Sequence, residues 1–283
     1  MGQAQIGLLH PGEMGAAVGG CLVMAGHQVL WASAGRGPGT VARAAAAGLR
    51  DAGTVGALAG QAGLIVSVCP PHAALDVARS VAGTAGTGFG GVFVDANAIS
   101  PGTAQEVARI VAAGGGSYVD GGIIGSPPSV PGRTRLYLSG PRAAQVADLF
   151  AGSALDARVI DGGAAAASAL KMAYAGWTKG TAALILAVRG LARTAGVEET
   201  LLAEWQESQP GLAGRSQAAA KSAAAKGWRW VGEMEEIAAS MASAGLPGGF
   251  HEAAAEIFRR SPRDGTAAAD ERTVTSILDA LLP

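Results

Sequence analysis

The chain is poor in the residues that carry redox or metal chemistry. Its two cysteines, Cys21 and Cys69, form no metal-binding or redox spacing, which argues against a bound metal and fits a reduced, cytoplasmic setting. Charge of one sign is also lacking. The net charge is −1 and the Lys and Arg residues are scattered, so neither a nucleic acid nor a membrane surface is an expected partner. A long apolar run is absent too, because Lys171, Lys179 and Arg189 interrupt Ala164 to Ala195. An apolar stretch beginning at Ile6 leaves no room for a signal peptide, and Ile6 stands where N-myristoylation of Gly2 needs Ser or Thr. What the chain has is apolar mass. Hydrophobic residues make up 49% of 283, enough for two domains with a sizeable core.

The most informative stretch is Ile6-Gly-Leu-Leu-His-Pro-Gly-Glu-Met-Gly15. Ile6 to Leu9 reads as a buried strand, the chain turns at His10-Pro11-Gly12, and Met14 to Ala25 reads as a helix. This order opens a dinucleotide-binding βαβ unit, with His10, Pro11, Gly12, Glu13 and Met14 as the candidate pyrophosphate contacts. His10 stands where G-x-G-x-x-G has its first glycine. Its ring reads either as a phosphate contact or as a solvated turn residue. Gly12 and Gly15 also read as packing residues of an ordinary α/β turn.

Strand and helix patterns alternate up to about residue 160. Val29 to Ala32 is an expected strand and Pro38 to Ala47 a helix. Leu64 to Val68 and Val92 to Val94 are continuous apolar runs of the kind found in buried parallel strands. Pro101 sits at a helix start that Gln105 to Ala113 continues. Tyr118 to Ile124 and Arg135 to Leu138 are the last expected strands. After Gly163 only helical patterns follow: Ala164 to Ala195, Glu199 to Ser208, Gly214 to Lys226, Val231 to Ala244, Phe250 to Arg260 and Thr266 to Leu282. The expected architecture is α/β: a Rossmann-type doubly wound sheet over residues 1–163, then an all-helical substrate and dimerisation domain over 164–283.

Strand ends are where such a sheet binds ligands. The second strand ends Trp31-Ala-Ser-Ala-Gly-Arg36 and carries no acid for a ribose 2′-OH. Ser33 and Arg36 suit a 2′-phosphate, so NADP(H) is expected over NAD(H); Arg36 also reads as a solvated loop charge. Val68, Cys69, Pro70 and Asn97 are candidate ribose or nicotinamide contacts. Cys69 reads equally as a small buried residue, and Asn97 as an Asx cap on the helix after it. On the long helix, Lys171, Tyr174 and Thr178 share one face by their offsets. A lysine in an apolar wall is able to exchange protons near neutrality, with a tyrosine to relay or donate. The same residues read as a snorkelling lysine and a core tyrosine.

These segments resemble the β-hydroxyacid dehydrogenase and 6-phosphogluconate dehydrogenase superfamily, to which imine reductases also belong. Ile6-Gly7 through Gly15 is similar to I-G-F-I-G-L-G-x-M-G, and Asp95 to Pro101 to D-x-S-T-x-x-P. Asp120 to Ser126 takes the place of D-A-P-V-S-G-G. Lys171-Met-Ala-Tyr-Ala-Gly176 is similar to K-M-V-H-N-G, and Trp230 through His251 to a phosphogluconate dehydrogenase-like branch. The resemblance implies that Lys171 is the general acid/base beside the nicotinamide and that the protein is a homodimer. It also exposes departures. The serine that holds a substrate carboxylate is Ile124 here, the asparagine after the lysine is Ala175, and the histidine is Tyr174. Those losses argue against 6-phosphogluconate itself as substrate. Ile123, Ile124, Gly125, Ser126, Thr178 and Lys179 remain as substrate-side candidates, and Glu233, Glu236 and His251 as residues able to join them from the helical part.

The expected activity is hydride transfer between a nicotinamide and a small carbonyl or alcohol carbon, with Lys171 and Tyr174 catalytic. Imine reduction is the alternative within enzymes, and a non-catalytic NADP-binding sensor the alternative outside them.

Overall fold

A computed structural model of the chain describes residues 5–83, 88–263 and 271–282. Gly2 and residues 266–270 of the last expected helix lie outside the described residues. The chain divides into two compact units, Met1–Lys171 and Met172–Pro283.

The first unit runs β1 (Gln5–Leu9), α1 (Glu13–Met24), β2 (Gln28–Trp31), α2 (Pro38–Ala46), β3 (Arg50–Asp51), α3 (Val55–Ala59), β4 (Leu64–Ser67) and α4 (Ala74–Ala82). It continues through β5 (Val92–Asp95), α5 (Pro101–Ala113), β6 (Ser117–Ile124), β7 (Thr134–Ser139), α6 (Ala143–Asp148) and β8 (Leu155–Val159), and takes in the first residues of α7 (Ala166–Thr194). The eight strands form one sheet in the order β3-β2-β1-β4-β5-β6-β7-β8. β1 to β6 are parallel, and the order reverses between β1 and β4, which sets the ligand crevice at their C-terminal ends.

The continuous apolar strands follow from burial on both faces. Ile6, Leu8, Val66 and Val94 pack into one layer with Val18 and Leu22 of α1. Leu9, Ile65 and Phe93 point to the other, against Leu58, Val77 and Val107. β7 departs from the parallel pattern. It runs antiparallel to β6, because residues 125–133 contain no helix to carry a crossover, and β8 then pairs parallel to β7. β3, α3, α6 and β8 carry no strong period in the sequence; α4, also outside the expected elements, does carry one, with Ala74, Val77, Ala78 and Val81 buried along one face. β3 is two exposed residues, and β8 is interrupted by Asp156 and Arg158.

The second unit holds the remainder of α7 with α8 (Glu198–Ser208), α9 (Leu212–Ser243), α10 (Gly249–Arg260) and α11 (Glu271–Leu281). The two helices expected over Gly214–Lys226 and Val231–Ala244 are one. Gly227, at the expected break, lies in contact distance of the Phe258 ring and serves close packing inside α9 instead of ending it. Met234, Ile237, Phe258, Ile277 and Leu278 are fully buried, and Trp230 meets Phe258 edge-on at 5.0 Å. Arg189 is buried with both partners in place, its guanidinium bonded to Glu198 and to the Ser216 hydroxyl at 3.0 Å. No strand follows β8 and no helix is long and apolar enough to cross a membrane, among the described residues.

Candidate active site

The turn after β1 separates its two glycines by task. A Cβ on Gly15 would lie 2.3 Å from the His10 carbonyl oxygen, so this glycine lets α1 seat on the turn. A Cβ on Gly12 would meet no protein atom within 4 Å. Packing therefore explains Gly15 and not Gly12. Gly12 is also the N-cap of α1, and it brings no side-chain cap to the helix N-terminus.

His10 corrects the reading of a solvated turn residue. Its φ is +64°, the left-handed region, which costs a non-glycine residue about 1–2 kcal/mol. Its Nδ1 is buried, and its Nε2 lies 2.6 Å from Arg36 Nη2. Burial, and then the Arg36 charge, pull its pKa down to about 4. The ring is therefore neutral at pH 7, and Nε2 accepts from the guanidinium.

Ser33 is half-buried after β2 and Arg36 is exposed beyond it. The structure adds an acid that the spacing rule missed. β3 pairs with β2 so that Asp51 sits opposite Trp31, and Asp51 accepts from the Gly53 amide at 2.7 Å and from the Ser33 hydroxyl. These bonds hold its carboxyl below the usual range. The residue is invisible to a search along β2 because it comes from the neighbouring strand.

At the ends of β4 and β5, Asn97 is buried and makes three hydrogen bonds. Its Oδ1 accepts from Cys69 N at 2.5 Å, its Nδ2 donates to Ser67 Oγ at 3.3 Å, and its own amide donates to Asp95 Oδ1 at 2.9 Å. It does not cap α5; Ser100 does, accepting from Thr103 N at 3.1 Å. Burial first, then the Asp95 charge, push the Cys69 thiol up to about 12, so thiolate chemistry is closed to it. Val68 and Cys69 are half-buried, and Pro70 is exposed.

The start of α7 is fixed by a carboxylate that the sequence reading passed over. Asp120 of β6 is buried, and it accepts from Ser168 N at 2.9 Å, Ser168 Oγ at 2.5 Å and Ser139 Oγ at 3.0 Å. Ser139 Oγ also accepts from Ala167 N at 3.2 Å. Burial raises the Asp120 pKa, while the bonds from Ser168 and Ser139 pull the other way. Two residues along β6, a Cβ on Gly122 would stand 2.7 Å from the Ala167 carbonyl oxygen and 3.0 Å from Lys171 Cβ. The half-buried Lys171 is thus set against β6 by backbone contact. Ile123 and Ile124 are buried at the end of that strand, and Gly125 and Ser126 emerge from it. Adjacent glycines inside an apolar strand, with a buried acid before them, were the available signal.

On the rest of α7, Tyr174 is 46% exposed and Thr178 is exposed, its hydroxyl bonded back to the Tyr174 carbonyl oxygen at 3.1 Å. The half-buried Lys179 forms an ion pair with the buried Glu233 and lies 5.4 Å over the Trp230 ring. His251 is buried against Gly176 and Gly180, with Nε2 3.2 Å from the Gly176 carbonyl oxygen. Glu236 is half-buried on α9. Among the described residues no cluster of His, Cys, Asp and Glu is arranged to hold a metal.

Residues 5–149 match the family of the NAD binding domain of 6-phosphogluconate dehydrogenase, and residues 192–261 match a domain of unknown function, DUF1932. The chain belongs to the 6-phosphogluconate dehydrogenase-like β-hydroxyacid dehydrogenase superfamily. As a superfamily member it is an NAD(P)-dependent dehydrogenase or reductase. Among solved structures it is similar to a conserved hypothetical protein from Sinorhizobium meliloti 1021, with 26% identity, TM-score 0.70, and 99% of this chain and 97% of that one covered. Its fold is shared with Mycobacterium tuberculosis 3-hydroxyisobutyrate dehydrogenase in complex with L-serine, at 18% identity, 98% of each chain and TM-score 0.68. The same holds for Aspergillus terreus reductive aminase in complex with NADPH and ethyl levulinate, at 21% identity, 98% of this chain and 99% of that one, and TM-score 0.57. No curated protein matches the sequence.

The superfamily's nicotinamide dinucleotide fits the residues present. The bare face of Gly12, at the N-terminus of α1, forms a cradle that a side chain at residue 12 would fill.

Proposed function

We propose that this dehydrogenase uses NADP(H) and acts on a small, weakly polar carbonyl or alcohol. The observation that carries the reading is Lys171, held against Gly122 at the end of β6 by the Asp120 anchor. The turn of His10, Pro11, Gly12, Glu13 and Met14 borders the pyrophosphate with its backbone, Arg36 with Ser33 faces the 2′-phosphate, and Val68, Cys69, Pro70 and Asn97 border the ribose and nicotinamide. Bound there, the nicotinamide supplies or accepts hydride. Lys171 gives its proton to the substrate oxygen in reduction and takes it back in oxidation. Tyr174, three residues on along the helix, orients the reacting group. Ile123, Ile124, Gly125 and Ser126 border the substrate, and Thr178 follows on the same helix face. Lys179 is committed to Glu233 and serves the packing of α7. The free thiols Cys21 and Cys69 support a cytoplasmic location.

A second reading, reduction of a C=N bond, draws on one observation. Ile124 is buried where the superfamily's carboxylate-binding serine is expected, so no anchor for a hydroxyacid stands there. The test is NADPH oxidation on a panel of small ketones and cyclic imines, with NADPH and NADH affinities measured by fluorescence titration. Tighter binding of NADPH and turnover of a ketone are expected. Equal affinities would defeat the cofactor assignment, and turnover of imines alone would move the chemistry to C=N.

The partner we propose is a second copy of this chain. Trp177, Leu184 and Leu191 are 68%, 59% and 71% exposed, and with Tyr174, Thr181 and Val188 they follow the alternating three- and four-residue steps of a helix-packing seam along α7. Light scattering at micromolar concentration should give twice the chain mass. Leu184→Glu with Leu191→Glu should give the single chain mass while keeping the helical circular dichroism. A monomeric wild type, or a double variant that stays dimeric, counts against this interface.

A further inference from the structure

His10 is the one non-glycine residue with positive φ among the described residues, and it stands where the dinucleotide motif has glycine. Strain of this kind persists where the surroundings enforce it, commonly at ligand sites. Its ring is occupied by one interaction, the bond from Arg36 Nη2 at 2.6 Å. Because the ring is neutral, it takes one guanidinium N–H as an acceptor and places no second positive charge there. No ion pair to a carboxylate holds Arg36 among the described residues. Its loop contains Gly35 at φ +73° and Gly37, so the backbone alone does little to aim it. A guanidinium has five donors in a rigid fork, and four remain after His10 takes one. Ser33 is the other expected phosphate contact, and its hydroxyl is engaged by Asp51. Recognition of a phosphate at this loop therefore falls mainly on Arg36.

We infer that His10 is a specificity-determining positioning residue. Its imidazole holds the Arg36 guanidinium where a phosphate monoester on the adenosine ribose is read, so the choice between phosphorylated and unphosphorylated dinucleotide depends on the His10–Arg36 pair. The inference rests on the proposed reading of Arg36 as the 2′-phosphate contact. Aiming a long side chain in advance removes an ordering cost from binding, and the ligand without the phosphate gains nothing from it.

The experiment measures dissociation constants for NADPH and NADH on the full chain and on His10→Gly, His10→Asn, Arg36→Ala and the His10→Gly/Arg36→Ala double variant. Glycine at residue 10 suits the left-handed backbone, so the turn is kept, and thermal melting checks this. His10→Gly should weaken NADPH binding roughly 3–10-fold, the worth of one immobilised side chain, with NADH changed by less than about twofold. Arg36→Ala should reduce the NADPH preference further, and adding His10→Gly to it should change nothing more. His10→Asn tolerates the same backbone and should fall between wild type and His10→Gly. If Arg36→Ala abolishes the preference while His10→Gly leaves it intact, the positioning role is wrong and the reading of Arg36 stands. An unchanged preference in Arg36→Ala sinks that reading and this inference with it. If His10→Gly costs as much in the Arg36→Ala background as in wild type, His10 contacts the phosphate itself and the positioning role is overturned.

Discussion

Lys171→Ala should lose about 10²–10⁴-fold in kcat, the usual worth of a general acid/base, while its affinity for NADPH stays within a few-fold of wild type. The split follows from where the residue sits. Its stem rests on the backbone of Gly122 near the end of β6, whereas the pyrophosphate cradle proposed above lies at the β1 turn and the start of α1. Lys171→Arg should not restore turnover, because a guanidinium keeps its proton across the accessible pH range. Tyr174→Phe should cost less if the hydroxyl only orients. The measurement is steady-state kinetics on a ketone or cyclic imine found by screening, with cofactor titration alongside. Loss of activity in Tyr174→Phe with an active Lys171→Ala would hand the proton to the tyrosine and favour C=N chemistry. Full turnover in both variants would remove this helix face from the catalytic machinery.

The sequence exposes the parts of this site that follow from local rules. β1, β4 and β5 announce themselves as short apolar runs because both of their faces are buried, and α7 does so by length and freedom from proline. Gly12 and Gly15 stand in a motif whose spacing is fixed by one turn of chain. What the sequence conceals depends on partners distant in the chain. Asp51 lies beside Ser33 only because β3 adds to the edge of β2, and two exposed residues give no period by which to find that strand. The same holds for Asn97, whose amide looks free for a ligand until β4 brings Cys69 and Ser67 to it. His10 reads as a solvated turn residue because nothing nearby in sequence predicts Arg36 at its ring. α9 shows the opposite failure: a local signal at Gly227 reads as a break, and packing on Phe258 overrides it. Lys179 and Glu233 look like separate polar candidates, and only the packing of α9 on α7 turns them into an ion pair.

Asp120→Ala should destabilise the protein by about 3 kcal/mol or more, because it leaves the Ser168 amide and the Ser168 and Ser139 hydroxyls buried without their acceptor. The amide dominates, since a hydroxyl can rotate toward another acceptor and a backbone N–H at the start of a helix cannot. For a chain of this size the change corresponds to a fall in Tm of roughly 6–12 °C. Asp120→Asn keeps the shape and one acceptor oxygen but turns a donor toward donors, so it should recover only part of the loss. Ser168→Ala removes one of the hydroxyl donors and leaves the amide bond to the carboxylate, so it should cost less than either. The double variant Asp120→Ala/Ser168→Ala should be less unstable than the sum of the singles, with a coupling of about 0.5–3 kcal/mol for residues in direct contact. Additive losses, or a wild-type Tm in Asp120→Ala, would show that α7 is held by other means. The anchor also bears on chemistry, because Lys171 lies one turn beyond Ser168 on the same helix. A folded Asp120→Asn protein should therefore bind NADPH normally and turn over slowly, and the deficit should appear in kcat with the cofactor Kd unmoved.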